Sequence, residues 1–282
     1  MSHYKVKNIV LTTKHYKEEA IRGPFKKYLD ATLVIPQIDT DILGTFSGEI
    51  ERKDNALNTA IAKARLGMEA TSIPYGLASE GSFGHHPFLP LLRCNTEIMV
   101  YIDDVIGFTL HETILSEDTN YNNACISTKE EAEDFLKLAK FPDHGVIIRP
   151  YKNSDDMLIN KELKNEDEFW IAFNNSIKQS KHHKVAIETD MRAHRNPTRM
   201  LNIKKVAEKL ARRIATQCPS CKSPGWGIVG VEKGLKCDHC YRNTDLISSQ
   251  IYGCVICDYR EKKPRSDGLI FAAQKECNWC NP

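Results

Sequence analysis

Eight of the ten cysteines of this 282-residue chain fall in its last 65 residues, as four C-x-x-C pairs. The pairs are Cys218/Cys221, Cys237/Cys240, Cys254/Cys257 and Cys277/Cys280. Two intervening residues let both thiolates of a pair turn toward one metal ion, and four thiolates close a tetrahedral Zn2+ shell that is structural, because no coordination position stays open. The pattern therefore predicts two structural zinc ions. Fifteen residues separate the first pair from the second and nineteen the third from the fourth, spacings that suit zinc ribbons. We expect sequential pairing, first with second and third with fourth; a crossed pairing, first with third and second with fourth, is the rival. Cys94 and Cys125 stand apart and read as buried thiols.

The tail is poor in apolar residues, with polar stretches such as 222–227 and 260–265. A piece of about 65 residues with so little core does not offset its chain entropy without a staple, and zinc supplies one. The cysteine asymmetry divides the chain into residues 1–216 and a double zinc-ribbon domain over 217–282. No apolar run approaches the roughly 18 residues that span a bilayer, and the first residues lack a signal-peptide core. A cytoplasmic, reducing setting is expected, with no membrane partner; cysteines there argue for metal over disulfides. The net charge of +2 conceals a basic region, since residues 178–213 hold eleven Lys/Arg against three Asp/Glu.

Upstream of the tail, β-rich runs alternate with helical periodicity. Strands are expected at 7–13, 31–36, 75–79, 97–102, 109–115, 146–149 and 184–189. Helices are expected at 15–29 (interrupted at Gly23-Pro24), 54–70, 130–140, 167–179 and 196–215. Such alternation implies an α/β fold, a three-layer domain with a mixed sheet.

Three polar clusters lie where α/β sites form, at strand ends. The first, Thr12-Thr13-Lys14-His15-Tyr16-Lys17, combines hydroxyls, ammonium groups and a helix start, as a phosphate cradle does. The second pairs Glu49, within 44–52, with Ser79-Glu80-Gly81, read as a glycine-bracketed turn after a strand; two carboxylates there would hold Mg2+ or Mn2+. The third, residues 188–199, crowds Glu188, Asp190, Arg192, His194, Arg195 and Arg199 between a strand and a helix. Asp190 is a candidate metal ligand or base, and the arginines suit anion recognition.

The order of strand, Thr-Thr-Lys-x-x-Lys turn, alanine-rich helix (residues 55–65), Ile-Pro and Ser-Glu-Gly resembles the inosine triphosphate pyrophosphatase superfamily over residues 7–212. The whole chain also resembles an uncharacterised bacterial family that joins such a domain to a double-zinc tail. The first resemblance implies that the first turn holds triphosphate, that carboxylates hold Mg2+, and that a late His-Arg pair, here His194-Arg195, contacts the base. Lys17 matches the family's lysine. Lys14 and Ala20 stand where that family carries Asn and Glu, and Ala193 where it carries Ser.

The expectation is a metal-dependent hydrolase of nucleoside triphosphates or related phosphorylated nucleotides. Lys17, Glu49, Glu80 and Asp190 would be catalytic, and Thr12, Thr13, Lys14, Ser79, Arg192, His194, Arg195 and Arg199 would bind substrate. The alternative is a non-catalytic module. In it the basic helix and the tail, with exposed Trp226 or Trp279, bind RNA or DNA, or the ribbons mediate assembly such as a homodimer.

Overall fold

A computed structural model describes residues 4–40, 54–152 and 158–282. The expected segment 44–52, with Glu49, lies outside these residues. Five strands form one mixed sheet in the order β2-β1-β3-β4-β5. These are β1 (Asn8–Thr12), β2 (Thr32–Val34), β3 (Tyr75–His85), β4 (Arg93–Asp103) and β5 (Phe108–Ser116). β1 runs parallel to both neighbours, and β3, β4 and β5 form an antiparallel meander.

One face of the sheet is covered by α1 (Glu18–Leu29) and α5 (Pro197–Ala215), which bury Ile21, Phe25, Ile203, Val206 and Leu210 against Ile9, Leu11, Leu77, Met99 and Tyr101. The other face takes α2 (Ala56–Thr71), whose Ala60, Ala64 and Met68 pack on Ala78, Val100 and Ile102. The α/β fold with three layers and a mixed sheet is thus present. Alanine at i, i+4 keeps α2 close, and at Gly67 an added Cβ would lie 1.9 Å from Thr12 Oγ1. Asn55 caps α2, its side chain accepting from the Asn58 amide at 2.9 Å.

A second sheet, order β6-β8-β7, was not expected as a separate unit. It comprises β6 (Asn123–Ile126), β7 (Val146–Pro150) and β8 (Val185–Thr189), all antiparallel, backed by α3 (Lys129–Ala139) and α4 (Glu166–Gln179). The short β6 carries too little pattern to be legible alone. On its open face Cys125 is exposed, which corrects its reading as a buried thiol; Cys94 is buried.

Two further readings change. α1 runs unbroken through Gly23-Pro24, because Pro24 sits on the buried face and the surrounding core holds the helix. Ser79-Glu80-Gly81 is no turn. These residues lie inside the 11-residue β3, opposite Met99, Ile98 and Glu97, because pairing with the apolar β4 carries the strand through its glycines. Among the described residues no helix is long and apolar enough to cross a membrane.

After α5 the chain builds a three-stranded antiparallel sheet, β11-β10-β9, from β9 (Gly227–Lys233), β10 (Ile247–Gly253) and β11 (Arg260–Pro264). It is tied to the α/β core. Arg213 of α5 donates to Glu112 at 2.6 Å and to the Gly225 carbonyl at 3.3 Å, and Val255 packs on the main core.

Candidate functional site

The ribbon topology sets the cysteine pairing. Gly227 at the start of β9 lies opposite Gly253 at the end of β10, so the Cys218/Cys221 knuckle meets the Cys254/Cys257 knuckle. β11 then returns antiparallel to β10 and carries the chain to the other end of the sheet, where Cys277/Cys280 meets Cys237/Cys240. The pairing is therefore crossed, and the sequential expectation is corrected: each hairpin separates consecutive knuckles by a strand length.

Within each quartet all four sulfurs lie within 4.8 Å of one another. The shortest approaches are 3.6 Å, for Cys221 to Cys254 and for Cys240 to Cys277. Zinc–sulfur bonds of about 2.3 Å at tetrahedral angles place sulfurs about 3.8 Å apart, so both quartets fit Zn2+. Backbone amides of Ile256 and His239 point at Cys254 Sγ (3.3 Å) and Cys237 Sγ (3.5 Å), hydrogen bonds that stabilise the negative charge of a metal-bound thiolate. Four thiolates leave no place for a substrate.

A different site opens at the C-terminal end of β1. A cleft of about 510 Å3 is lined by Thr13, Lys14, His15 and Tyr16 from the first turn, Gln37 after β2, and Arg192 and His194 before α5. The first and third clusters, far apart in sequence, meet here. His15 and His194 stack with ring centroids 4.9 Å apart, and Tyr16 meets His194 edge-on. Burial, then His194 and the cations Lys17, Arg192 and Arg199, push the His15 imidazole down to about 3, so it stays neutral. Burial, with Arg192 next, also lowers His194. Lys14 pairs with Asp39 at 2.5 Å.

Behind the cleft lies a buried ionic cluster. Lys17 donates to the Ser79 carbonyl at 3.0 Å and Ser79 Oγ at 3.3 Å. Glu80 is ion-paired with Lys63 of α2. Arg199 donates to Glu97 Oε1 at 2.8 Å, and its guanidinium fills the space over Gly81, where an added Cβ would lie 2.4 Å from Nη2. Glu97 is fully buried, and its Oε2 has no hydrogen-bond partner among the described residues.

Burial and Arg199 lower the Lys17 ammonium from 10.5 to about 8, against the opposing pull of Glu80 and Glu97. A lysine whose folded pKa is depressed costs stability wherever it must be charged, and this cost fades as pH rises from about 8 toward its unfolded value. Lys17→Met is therefore expected to raise stability at pH 7, on the order of 1–3 kcal/mol, and to lose that advantage above pH 10. Urea midpoints across this range check it; a Met variant less stable than wild type at pH 7 contradicts the assignment.

The remaining expected residues lie elsewhere. Asp190 is wholly buried with both oxygens on Arg192, at 3.0 Å (Nε to Oδ1) and 2.6 Å (Nη2 to Oδ2), so it aims Arg192 and has no lone oxygen for a metal. Arg192 also reaches Glu162 at 2.6 Å. Thr12 packs on Gly67 of α2, and Arg195 turns to the Leu163 carbonyl. Sequence reasoning did not single out Lys63 and Glu97, which sit in an ordinary-looking helix and strand. Only pairing of β3 with β4 places Glu97 under Arg199.

Several cations of the basic surface expected for nucleic acid pair with carboxylates. Lys209 and Arg213 both bind Glu112, Arg212 binds Glu208, and in the tail Lys262 pairs with Glu232, Lys263 with Glu261 and Arg265 with Asp267. Trp226 is buried against Tyr259, correcting its reading as exposed, whereas Trp279 is exposed under Arg242.

No curated protein and no solved structure matches the chain. A family model does, beginning within α2, so that Arg192, His194 and both cysteine quartets fall inside the match while Lys14 and His15 precede it. Residues 63–282, well over half of the chain, match the family described as Domain of unknown function (DUF6671), and the chain belongs to that family.

Proposed function

We propose that the cleft at the end of β1 binds and hydrolyses a phosphorylated nucleotide, a nucleoside triphosphate or a related phosphate ester. The observation that carries this reading is the convergence of Lys14, Arg192 and the stacked His15/His194 pair on one cleft of about 510 Å3. Planar guanidinium and ammonium groups suit phosphate oxygens, and neutral stacked rings offer a platform for a base. Lys17, kept buried at a cost in stability, adds support, since structurally unfavourable ionisable groups cluster at functional sites. This reading keeps the resemblance to the inosine triphosphate pyrophosphatase superfamily as a working hypothesis over residues 7–212.

In this reading phosphate takes the place of the exposed Glu162 on Arg192 Nη1, while Nε and Nη2 stay on Asp190 and the Lys161 carbonyl, and Lys17 and Arg199 supply positive potential from behind. Catalysis is then mainly positioning and electrostatics. For a divalent cation, Mg2+ or Mn2+, Glu97 offers its uncommitted Oε2, whereas Glu80 lies with Lys63 on the opposite face of the sheet and Asp190 is committed to Arg192, so neither joins it. Such a cation would polarise the attacking water and neutralise phosphate charge.

The test is release of phosphate or pyrophosphate from a panel of standard and deaminated nucleotides with Mg2+ or Mn2+. Arg192→Ala is expected to lower kcat/KM by about 100-fold, the loss of one charge-assisted contact set of about 3 kcal/mol. An inert wild type that also shows no calorimetric binding of any nucleotide sinks the proposal. Binding of RNA or DNA by the α5 face and tail draws less support, because no cleft brings their cations together and several of them pair with carboxylates, Lys209 and Arg213 with Glu112 and Lys262 with Glu232.

A further inference from the structure

Helices α3 and α4 cover one face of the second sheet, where Ile126, Ile148, Val185 and Ile187 are buried. Side chains alternate along a strand, so the opposite face carries Cys125, Ile147, Arg149, Ala186 and Glu188. Register fixes how these residues stand. Cys125 of β6 and Arg149 of β7 both lie opposite Ala186 of the central strand, and Glu188 lies one row away, opposite Ile147. A methyl group between two taller neighbours leaves a hollow, and a cavity of about 300 Å3 opens there. That volume is at the small end of the range for small-molecule sites. Tyr151 also lines the hollow, its ring set edge-on to His182.

The two charged groups of the hollow differ from the ion pairs elsewhere in the fold. Arg192, Arg199 and Arg213 each hold a carboxylate directly. Arg149 and Glu188 are half-buried, yet among the described residues neither side chain has a hydrogen-bond or ion-pair partner. They are diagonal neighbours on adjacent strands, within electrostatic reach of one another but not in contact. Burial raises the Glu188 carboxyl above its usual range, against the pull of Arg149. Partly desolvated charges without hydrogen-bond partners are unfavourable, and a ligand that satisfies both recovers that cost.

We infer that this hollow binds a free α-amino acid with an uncharged side chain, its carboxylate on Arg149 and its ammonium group on Glu188. A guanidinium fork matches a carboxylate through two parallel hydrogen bonds, and an ammonium group donates well to a carboxylate. Among the described residues no third charge lines the hollow, so an acidic or basic ligand side chain finds no counter-charge there. Ile147, Tyr151 and the Ala186 methyl instead offer apolar contact to a neutral one. A simple anion is the poorer occupant because Glu188 repels it, and a metal cation because Arg149 does. The hollow shares no lining residue with the cleft at the end of β1, so this inference does not rest on the nucleotide reading of that cleft.

The experiment is calorimetric titration of the zinc-loaded full chain with each of the common α-amino acids, up to about 10 mM, which covers weak small-ligand binding. Cys125, exposed on the wall of the hollow, gives a local readout. Its alkylation by iodoacetamide, located by peptide mass, is expected to slow when the ligand is bound. At least one uncharged amino acid is expected to bind. Its N-acetyl and amide derivatives, which lose the ammonium and carboxylate charges, are expected to bind about 10-fold more weakly or worse. Arg149→Met and Glu188→Gln are expected to weaken the parent ligand to the same degree, and the derivatives keep the test decisive if either variant fails to fold. No binding by any amino acid overturns the inference. So does binding that leaves Cys125 alkylation unchanged, or that is indifferent to both ligand charges. Competition by inorganic phosphate, with Arg149→Met abolishing binding and Glu188→Gln without effect, overturns it in favour of a simple anion site.

Discussion

Serine at Cys218 and Cys254 together is expected to leave one of the two zinc-fitting quartets intact, whereas serine at Cys218 and Cys237 together is expected to disable both. The crossed quartets put the first two residues in one shell and split the second two between shells. Sequential pairing predicts the reverse, so metal content measured on the two double variants decides between them. The energetic consequence is large. Apparent zinc binding in small metal-stapled modules is worth roughly 10–16 kcal/mol at neutral pH, and much of it is folding free energy.

The two sites will not fail alike. The first quartet adjoins Val255, which packs on the main core, and follows α5, whose Arg213 binds Glu112 and the Gly225 carbonyl. The second sits at the far end of the β9–β11 sheet. Loss of the first zinc is expected to lower the melting temperature of the α/β region and to loosen the end of α5. Loss of the second should melt only the distal knuckle. Hydrogen exchange resolved along the chain checks this; equal loss of protection in α5 from both variants would refute it.

The second large effect is expected at Glu97. Glu97→Ala leaves the Arg199 guanidinium, 3% exposed, without its carboxylate. An uncompensated buried charge costs roughly 3–5 kcal/mol, and the double variant Glu97→Leu/Arg199→Met is expected to recover most of that loss, since a paired exchange for apolar groups is often neutral. Arg199 also reaches the Met191 carbonyl and lies over Phe83, so the pair fastens the start of α5 to the sheet and, through it, the turn bearing Arg192 and His194. Denaturant midpoints measure the effect. A single variant that loses less than about 1 kcal/mol would show that the ion pair does not hold this corner.

The lesson from these residues is uneven. Helix α2 was legible because alanines and leucine at three- and four-residue steps, after an Asn cap, describe one buried stripe whatever lies above it. The strand through Ser79-Glu80-Gly81 was misread, because glycine speaks locally for a turn and only the neighbouring β4 supplies the hydrogen bonds that keep it extended. Thr12 and Arg195 belonged to promising clusters, yet their side chains are turned to α2 and to the second sheet by the geometry of adjacent elements. Lys14, Arg192 and His194 were picked out by chemistry, and the fold brought them together.

For the cysteine tail the division is sharpest. The sequence by itself determined that this chain carries eight cysteines in four pairs spaced for a shared metal ion, because a C-x-x-C knuckle is a local geometry needing only its own residues. Which pairs share an ion was decided by the tertiary structure alone. Antiparallel β9, β10 and β11 send successive knuckles to opposite ends of a sheet, and a strand's length is more than one zinc ion can bridge.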